Sequence, residues 1–285
     1  MSAQKLARRR ARGRRTVSRR RIAALRRYLR VARRHALSVF ARAPLAVQSL
    51  LTVSIALLLW LLVNGIYQVV RKPTELLFPV SGTLDKTPAE TWHQYGPLFR
   101  EYSTRVISPE LLAALAQVEG SGNPIAHTYW RWSFKLKPFE IYRPASSAVG
   151  MYQITDGTFA EAKRLCIRDH VVLDDGPWND WRSCWFNGLY TRILPSHAVE
   201  LTSAYLDRSV AKATAGHAIQ SATLERKQQL AALIHLCGAR AGEAFVRRGM
   251  RLTEGERCGD HPARDYLERV ERTKRLFEGL AKGVP

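Results

Sequence analysis

The chain has 285 residues, 45 Lys or Arg against 24 Asp or Glu, and 46% apolar side chains; a disordered polybasic protein is far less apolar, so a folded core is expected. Its net charge of +21 suggests a nucleic-acid binder until the charge is localised: residues 1–43 hold 16 bases (Lys5 and fifteen Arg) and no acid, and the remainder carries a surplus of only five. The charge belongs to an arm, which excludes a uniformly basic body.

The arm carries Arg8-Arg9-Arg10, Arg14-Arg15, Arg19-Arg20-Arg21, Arg26-Arg27 and Arg33-Arg34. Three uses fit such a tract: a nucleic-acid tail, a membrane-surface helix, or a topology determinant. Its low aromatic content argues against base stacking, and topology with anionic-lipid contact is the reading taken. From Ala43 to Val70 no residue is charged. At ~1.5 Å per residue, roughly 20 residues cross ~30 Å of hydrocarbon, so residues 44–70 read as one transmembrane helix. Trp60, Tyr67 and Arg71-Lys72-Pro73 mark its exit side. A cleavable signal peptide would have an apolar region of only ~7–15 residues and a small-x-small site; Val63-Asn64-Gly65 is a poor one. Sixteen positive charges before the span and two just after it orient the arm to the cytoplasm and residues 71–285 outside. In a bacterium this means an inner-membrane protein with a periplasmic domain.

Residues 71–107, with Pro73, Pro79, Gly82, Pro88 and Gly96, read as a linker and irregular lead-in. Ser108-Pro109-Glu110 then reads as a helix start, Ser as N-cap and Pro in the first turn, followed by Leu111, Leu112, Leu115 and Val118 at helical spacing. Similar periodicity at Thr158–Cys166, His197–Val210, Leu224–Cys237 and Arg264–Leu280 predicts a mainly α domain over 108–285. Cys166, Cys184, Cys237 and Cys258 all lie beyond the span, in keeping with an oxidising compartment. Four cysteines allow three pairings; Cys166 with Cys184 and Cys237 with Cys258 closes the shortest loops and is preferred. No CxxC or HExxH spacing indicates a metal, and His127, His235 and His261 read as structural or surface residues. No cofactor is implied.

The helix from Ser108 ends in Gln117-Val118-Glu119-Gly120-Ser121-Gly122-Asn123-Pro124. Glu119 therefore stands at the rim of a core, where a carboxyl loses hydration of its charged form, as a general acid near neutral pH requires. Some thirty residues on comes Ser146-Ser147-Ala148-Val149-Gly150-Met151-Tyr152-Gln153-Ile154-Thr155. Together the two segments resemble the lysozyme-like domain of soluble-type lytic transglycosylases, related to goose-type lysozymes. In that family a helix ends in Glu-Ser-x-x-Asn-Pro and a second segment reads Gly-Leu-Met-Gln-Ile. Glu119, Asn123 and Pro124 match the first, and Gly150, Gln153 and Ile154 the second. The family's Ala-Tyr-Asn-x-Gly is echoed weakly by Ile234-His235-Leu236-Cys237-Gly238, and its final Tyr-x-x-x-Val helix by Tyr266 to Val270. Gly120 replaces the Ser after the acid, leaving Ser121 as a substitute, and Leu236 replaces the Asn. Both changes would remove hydrogen bonds to the sugar.

The resemblance covers about residues 108–275. It implies cleavage of the β-1,4 bond between N-acetylmuramic acid and N-acetylglucosamine in peptidoglycan strands. Glu119 would protonate the leaving oxygen, then deprotonate the muramoyl C6 hydroxyl, giving a 1,6-anhydro product. One carboxylate suffices for this route, whereas ordinary glycosidases need two. Asp156, Glu161, Asp174 and Asp175 are the nearest acids and read as turn or surface residues. A muramidase admitting water, and a weakened peptidoglycan-binding scaffold, are the alternatives. Gln153 and Tyr152 would line the glycan groove. Of the aromatics Tyr129-Trp130-Arg131-Trp132, Phe134, Tyr142, Trp178, Trp181 and Trp185, Tyr129 and Trp130 are the ones expected to stack on sugar rings.

Overall fold

The computed structural model describes residues 27–28, 30–35, 38–133, 137–180, 183–216 and 222–283; most of the arginine-rich arm, with Phe134 and Trp181, lies outside the described residues. The chain divides into two units at Gly65/Ile66. Helix α1 (Leu45–Arg71) has 27 residues and is about 40 Å long at ~1.5 Å per residue. Among the described residues it is the one helix long and apolar enough to cross a membrane, with a mean hydropathy of 2.3. Leu50, Val53, Leu58 and Leu62 are exposed along it, as in a helix solvated by lipid and not by protein.

In the second unit, short helical turns over Pro73–Leu77, Phe78–Ser81 and Gly82–Leu84 lead into α2 (Pro88–Glu101). This corrects the reading of 71–107 as linker. Thr87 and Glu90 form a reciprocal capping box: the Glu90 N–H donates to Thr87 Oγ1 at 3.3 Å and the Thr87 N–H to Glu90 Oε2 at 2.8 Å. Pro88, which argued for a loop, occupies the first helical turn, where its missing N–H costs nothing. Pro97 sits inside the helix and forgoes one backbone bond, a cost offset by burial of Tyr95 and Phe99 in the core.

Helix α3 (Pro109–Gly120) begins as expected, with Ser108 Oγ accepting from the Leu111 N–H at 3.3 Å. Leu111 through Ala116 are all buried, which makes α3 the central helix. Around it follow α4 (Asp156–Ala162), α5 (Pro195–Thr214), α6 (Leu224–Cys237), α7 (Ala239–Arg247) and α8 (Ala263–Ala281). Helix α3 packs most extensively against α8 and then α2, so the C-terminal helix folds back over the middle of the chain. Three antiparallel hairpins complete the unit: β1 (Trp130–Trp132) with β2 (Tyr142–Pro144), β3 (Leu165–Arg168) with β4 (Val171–Asp174), and β5 (Arg257–Cys258) with β6 (His261–Pro262). The helical reading of Thr158–Cys166 ran too far: α4 stops at Ala162 and Cys166 lies in β3, opposite Leu173. The architecture is mainly α, as predicted.

Two buried polar devices fix the start of this unit. Lys72 Nζ pairs with Glu75 Oε1 at 2.9 Å and donates to the Ala148 carbonyl at 3.0 Å, while Glu75 Oε2 accepts from the Trp130 indole at 2.9 Å. Asn123, 1% exposed, donates to the Ser81 carbonyl at 2.6 Å and to Asp85 Oδ1 at 2.8 Å. The lead-in is thus stapled to the loop after α3.

The cysteines pair locally, Cys166 with Cys184 and Cys237 with Cys258, with Cα separations of 5.3 and 5.2 Å. Each closes a loop of about twenty residues, whose cross-linking lowers the entropy of the unfolded chain by about 3 kcal/mol at room temperature. Replacing Cys237 and Cys258 together by Ser should lower the unfolding free energy by about that amount, read from urea titrations of oxidised wild type and variant.

Candidate functional site

The site grows from the end of α3. Ser121 closes the helix in the left-handed region (φ 50°), its N–H returning to the carbonyls of Ala116 and Gln117. One residue earlier, Gly120 packs against the turn that carries the second motif. A Cβ at 120 would stand 2.9 Å from both the Cα and the carbonyl oxygen of Met151, closer than atoms in a packed interior approach. This accounts for Gly at position 120: helix and turn are in backbone contact.

That turn is held from both sides. The Gly150 N–H donates to the Ala126 carbonyl at 2.8 Å, and Gly150 adopts φ +81°, with the Arg192 carbonyl where a Cβ would go. Arg192 Nη1 donates to the carbonyls of Ser147 and Ile154, each at 2.9 Å, and pairs with Asp156 at 2.9 Å. Gln153 is left-handed (φ 47°), a strained conformation for a residue with a side chain. Its Nε2 donates to the carbonyls of Gly150 at 2.9 Å and Ala126 at 3.1 Å. Tyr152 is 0% exposed, so it packs the core behind the turn and offers no face to a ligand, contrary to the expectation that it lines a groove.

Two further elements close on Glu119. From α8, the Tyr266 hydroxyl donates to Glu119 Oε1 at 2.5 Å. From the last turn of α6, His235 Nε2 lies 3.8 Å from the same oxygen. Both side chains are largely covered, Glu119 at 18% and His235 at 11% exposure. The Tyr152 ring meets the imidazole edge-on, centroids 6.4 Å apart. Burial, then the Glu119 charge and its hydrogen bond, push the Tyr266 hydroxyl well above the usual phenol range, which keeps it a donor. Burial also holds the His235 imidazole below its ordinary value, against the pull of Glu119 and the Tyr152 backbone. A cleft of about 150 Å³ adjoins this cluster, lined among others by Gln153, Thr158, Tyr205, His235 and Gly238. Glu119 does not line it, and adjoins it through His235.

The structure therefore gathers Glu119, Gln153 and the turn of Ser121 around one place, and adds His235 and Tyr266, to which sequence reasoning gave no role in the chemistry. The signals were present in the third motif and in the Tyr-x-x-x-Val helix. Tyr129 and Trp130 stand apart from the cleft. Trp130 bonds Glu75 and packs on Tyr142 with centroids 5.2 Å apart, and Tyr129 is 62% exposed. Asp156 and Asp174 are spent on Arg192 and Arg208. Glu200 is buried on α5 and accepts from the Ile167 N–H at 2.9 Å and the Tyr190 hydroxyl at 2.7 Å. Burial raises its pKa, and its bonds serve to moor β3. No group of three or more His, Cys, Asp or Glu able to hold a metal ion occurs among the described residues. No family model, curated protein or solved structure matches the chain.

Two outcomes follow from this geometry. Gly120→Ser should destabilise the unit by about 1–3 kcal/mol through overpacking, read as a lower urea midpoint. Because the folded chain holds His235 below the ordinary 6.5, the unfolded chain protonates first as pH drops. Stability should be full above about pH 6.5 and decline as pH falls through the depressed native value. His235→Gln should flatten that decline in urea titrations across this range, leaving the part due to His197, which burial also holds down.

Proposed function

We propose that this chain is a membrane-anchored peptidoglycan lytic transglycosylase with a lysozyme-like domain. In this reading α1 spans the bacterial inner membrane once, the arginine arm is cytoplasmic against anionic lipid, and the domain works in the periplasm on glycan strands. The observation that carries it is convergence on Glu119. Four sequence segments that resemble the family's motifs meet at the end of α3: 234–238 and 266–270 bring His235 and Tyr266 to the largely covered Glu119 carboxylate, and 150–154 packs against Gly120 beside it. The exposed apolar surface of α1 and two cystines beyond it support the placement.

The division of labour follows from the bonds. Tyr266 occupies Oε1 of Glu119, so Oε2 is the oxygen that carries the proton to the glycosidic oxygen and later takes one from the C6 hydroxyl. Donation from a phenol that stays protonated steadies the carboxylate form between the two steps. His235 Nε2, 3.8 Å from the same oxygen, lies beyond hydrogen-bond distance and leaves Oε2 to the substrate. Gln153, with Nε2 spent on backbone, keeps its carbonyl oxygen for the substrate's N–H groups.

A weakened, binding-only domain is the second reading, and Gly120 favours it: the packing against Met151 leaves no room for the serine that would hold the sugar. Digestion of purified sacculi separates the readings. Wild type should release 1,6-anhydro muropeptides, one water lighter than hydrolysis products. Glu119→Gln should lose at least about a hundredfold in rate, the usual contribution of a general acid and base, with sacculus binding retained. Products heavier by one water would identify a muramidase, and binding without release by wild type would identify the scaffold.

A further inference from the structure

The β1–β2 hairpin is docked on the last turn of α1. Gln68 Nε2 donates to the Phe139 carbonyl at 2.6 Å, the Tyr67 and Phe139 rings lie 5.4 Å apart, and Arg71 pairs with Glu140 at 3.3 Å. These contacts fix a depth. From Leu45 to Ile66 the helix offers 22 residues, about 33 Å at ~1.5 Å per residue, enough to fill a hydrocarbon core of ~30 Å. Tyr67 to Arg71 then lie in the headgroup layer, and a hairpin bonded to them lies at the same level.

The hairpin's surface has the composition of that layer. Tyr129 is 62%, Trp132 57% and Phe139 40% exposed, and Arg131 and Lys137 stand out beside them. Trp and Tyr concentrate at membrane interfaces because an apolar ring and a polar edge are satisfied there together. Glu140, the single acid between Tyr129 and Ala145, is ringed by Arg71, Lys137 and Arg143 at 3.3 to 3.6 Å. Those cations hold its carboxyl below the usual range, although desolvation opposes them as the largest single effect. The face thus presents aromatic rings and cations with its negative charge already answered, complementary to lipid phosphates.

We infer that this hairpin is a membrane foot, seated in the headgroup layer beside the exit of α1. The inference rests on the reading of α1 as a span. It gives the exposed Tyr129 and Trp132 lipid partners in place of the sugar rings first expected of Tyr129 and Trp130.

Both cystines leave no free thiol among the described residues, and the sequence holds no further cysteine, so one introduced cysteine can be labelled specifically. Full-length protein carrying Trp132→Cys, Tyr129→Cys or, as reference, Ile55→Cys is labelled with a polarity-sensitive fluorophore and reconstituted into phosphatidylcholine/phosphatidylglycerol vesicles. The vesicles contain lipids brominated either near the glycerol or near the chain end. Expected is a blue shift at 132 and 129 with a loss of fluorescence comparable to that at 55, strongest with shallow bromines, whereas 55 responds best to deep ones. Quenching at 55 with none at 132 and 129 overturns the foot and leaves the span intact. No quenching at 55 overturns the span and the foot with it. A response at 132 and 129 to soluble glycan strands, and not to brominated lipid, returns these rings to substrate and overturns the inference.

Discussion

One hydrogen bond, from Tyr266 near the end of the chain to Glu119 near its middle, sets the terms for the rest of the domain. To make it, α8 must lie across α3, and α3 must be buried deeply enough that its last turn presents a carboxylate to a neighbour and not to water. The run of buried residues from Leu111 to Ala116 does this. A carboxylate at the edge of so apolar a helix needs a donor that does not itself ionise, and a phenol raised by burial is such a donor. His235 joins the same oxygen from α6, so three helices share responsibility for one charge.

The cost of this arrangement is stored close by. Gln153 is held in the left-handed region, and the Tyr152 hydroxyl is buried with no hydrogen-bond partner among the described residues. An unpaired buried hydroxyl and a strained backbone each cost on the order of 1–3 kcal/mol. Both lie in the turn that Gly120 and Gly150 let approach α3. The surrounding bonds over-determine the turn: Arg192 reaches two carbonyls and Lys72 a third. Strain gathered in a braced turn beside a cleft is the usual economy of a site that must be preorganised.

Much of this was legible in residue patterns. Ser108 and Pro109 marked the start of α3, and the run to Glu119 marked its end, because capping and periodicity are local. The cystines followed from loop length. The apolar stretch ending at Val70 was read within one residue of the observed helix end. What was missed is of another kind. Residues 88–101 read as part of a linker and lead-in because Pro88 and Gly96 weigh heavily in local propensity, yet Thr87-Pro88-Ala89-Glu90 is a capping box whose meaning depends on a reciprocal bond. The stop at Ala162 was overrun because β3 is held by a partner strand and by Glu200, distant in sequence. His235 and Tyr266 acquire a role only through contacts across more than a hundred residues. Tyr152 looked like a groove residue from its neighbour Gln153, but its ring is fully buried in the core while Gln153 lines the cleft.

Lys72, the first residue past α1, is bonded to the carbonyl of Ala148 and to the buried Glu75, which ties the second motif to the start of its own unit. From Ala148 to Gln153 the chain can extend no farther than about 18 Å. The turn that carries Gln153 therefore cannot part from the residues that follow α1 without giving up the bond from Lys72 to Ala148.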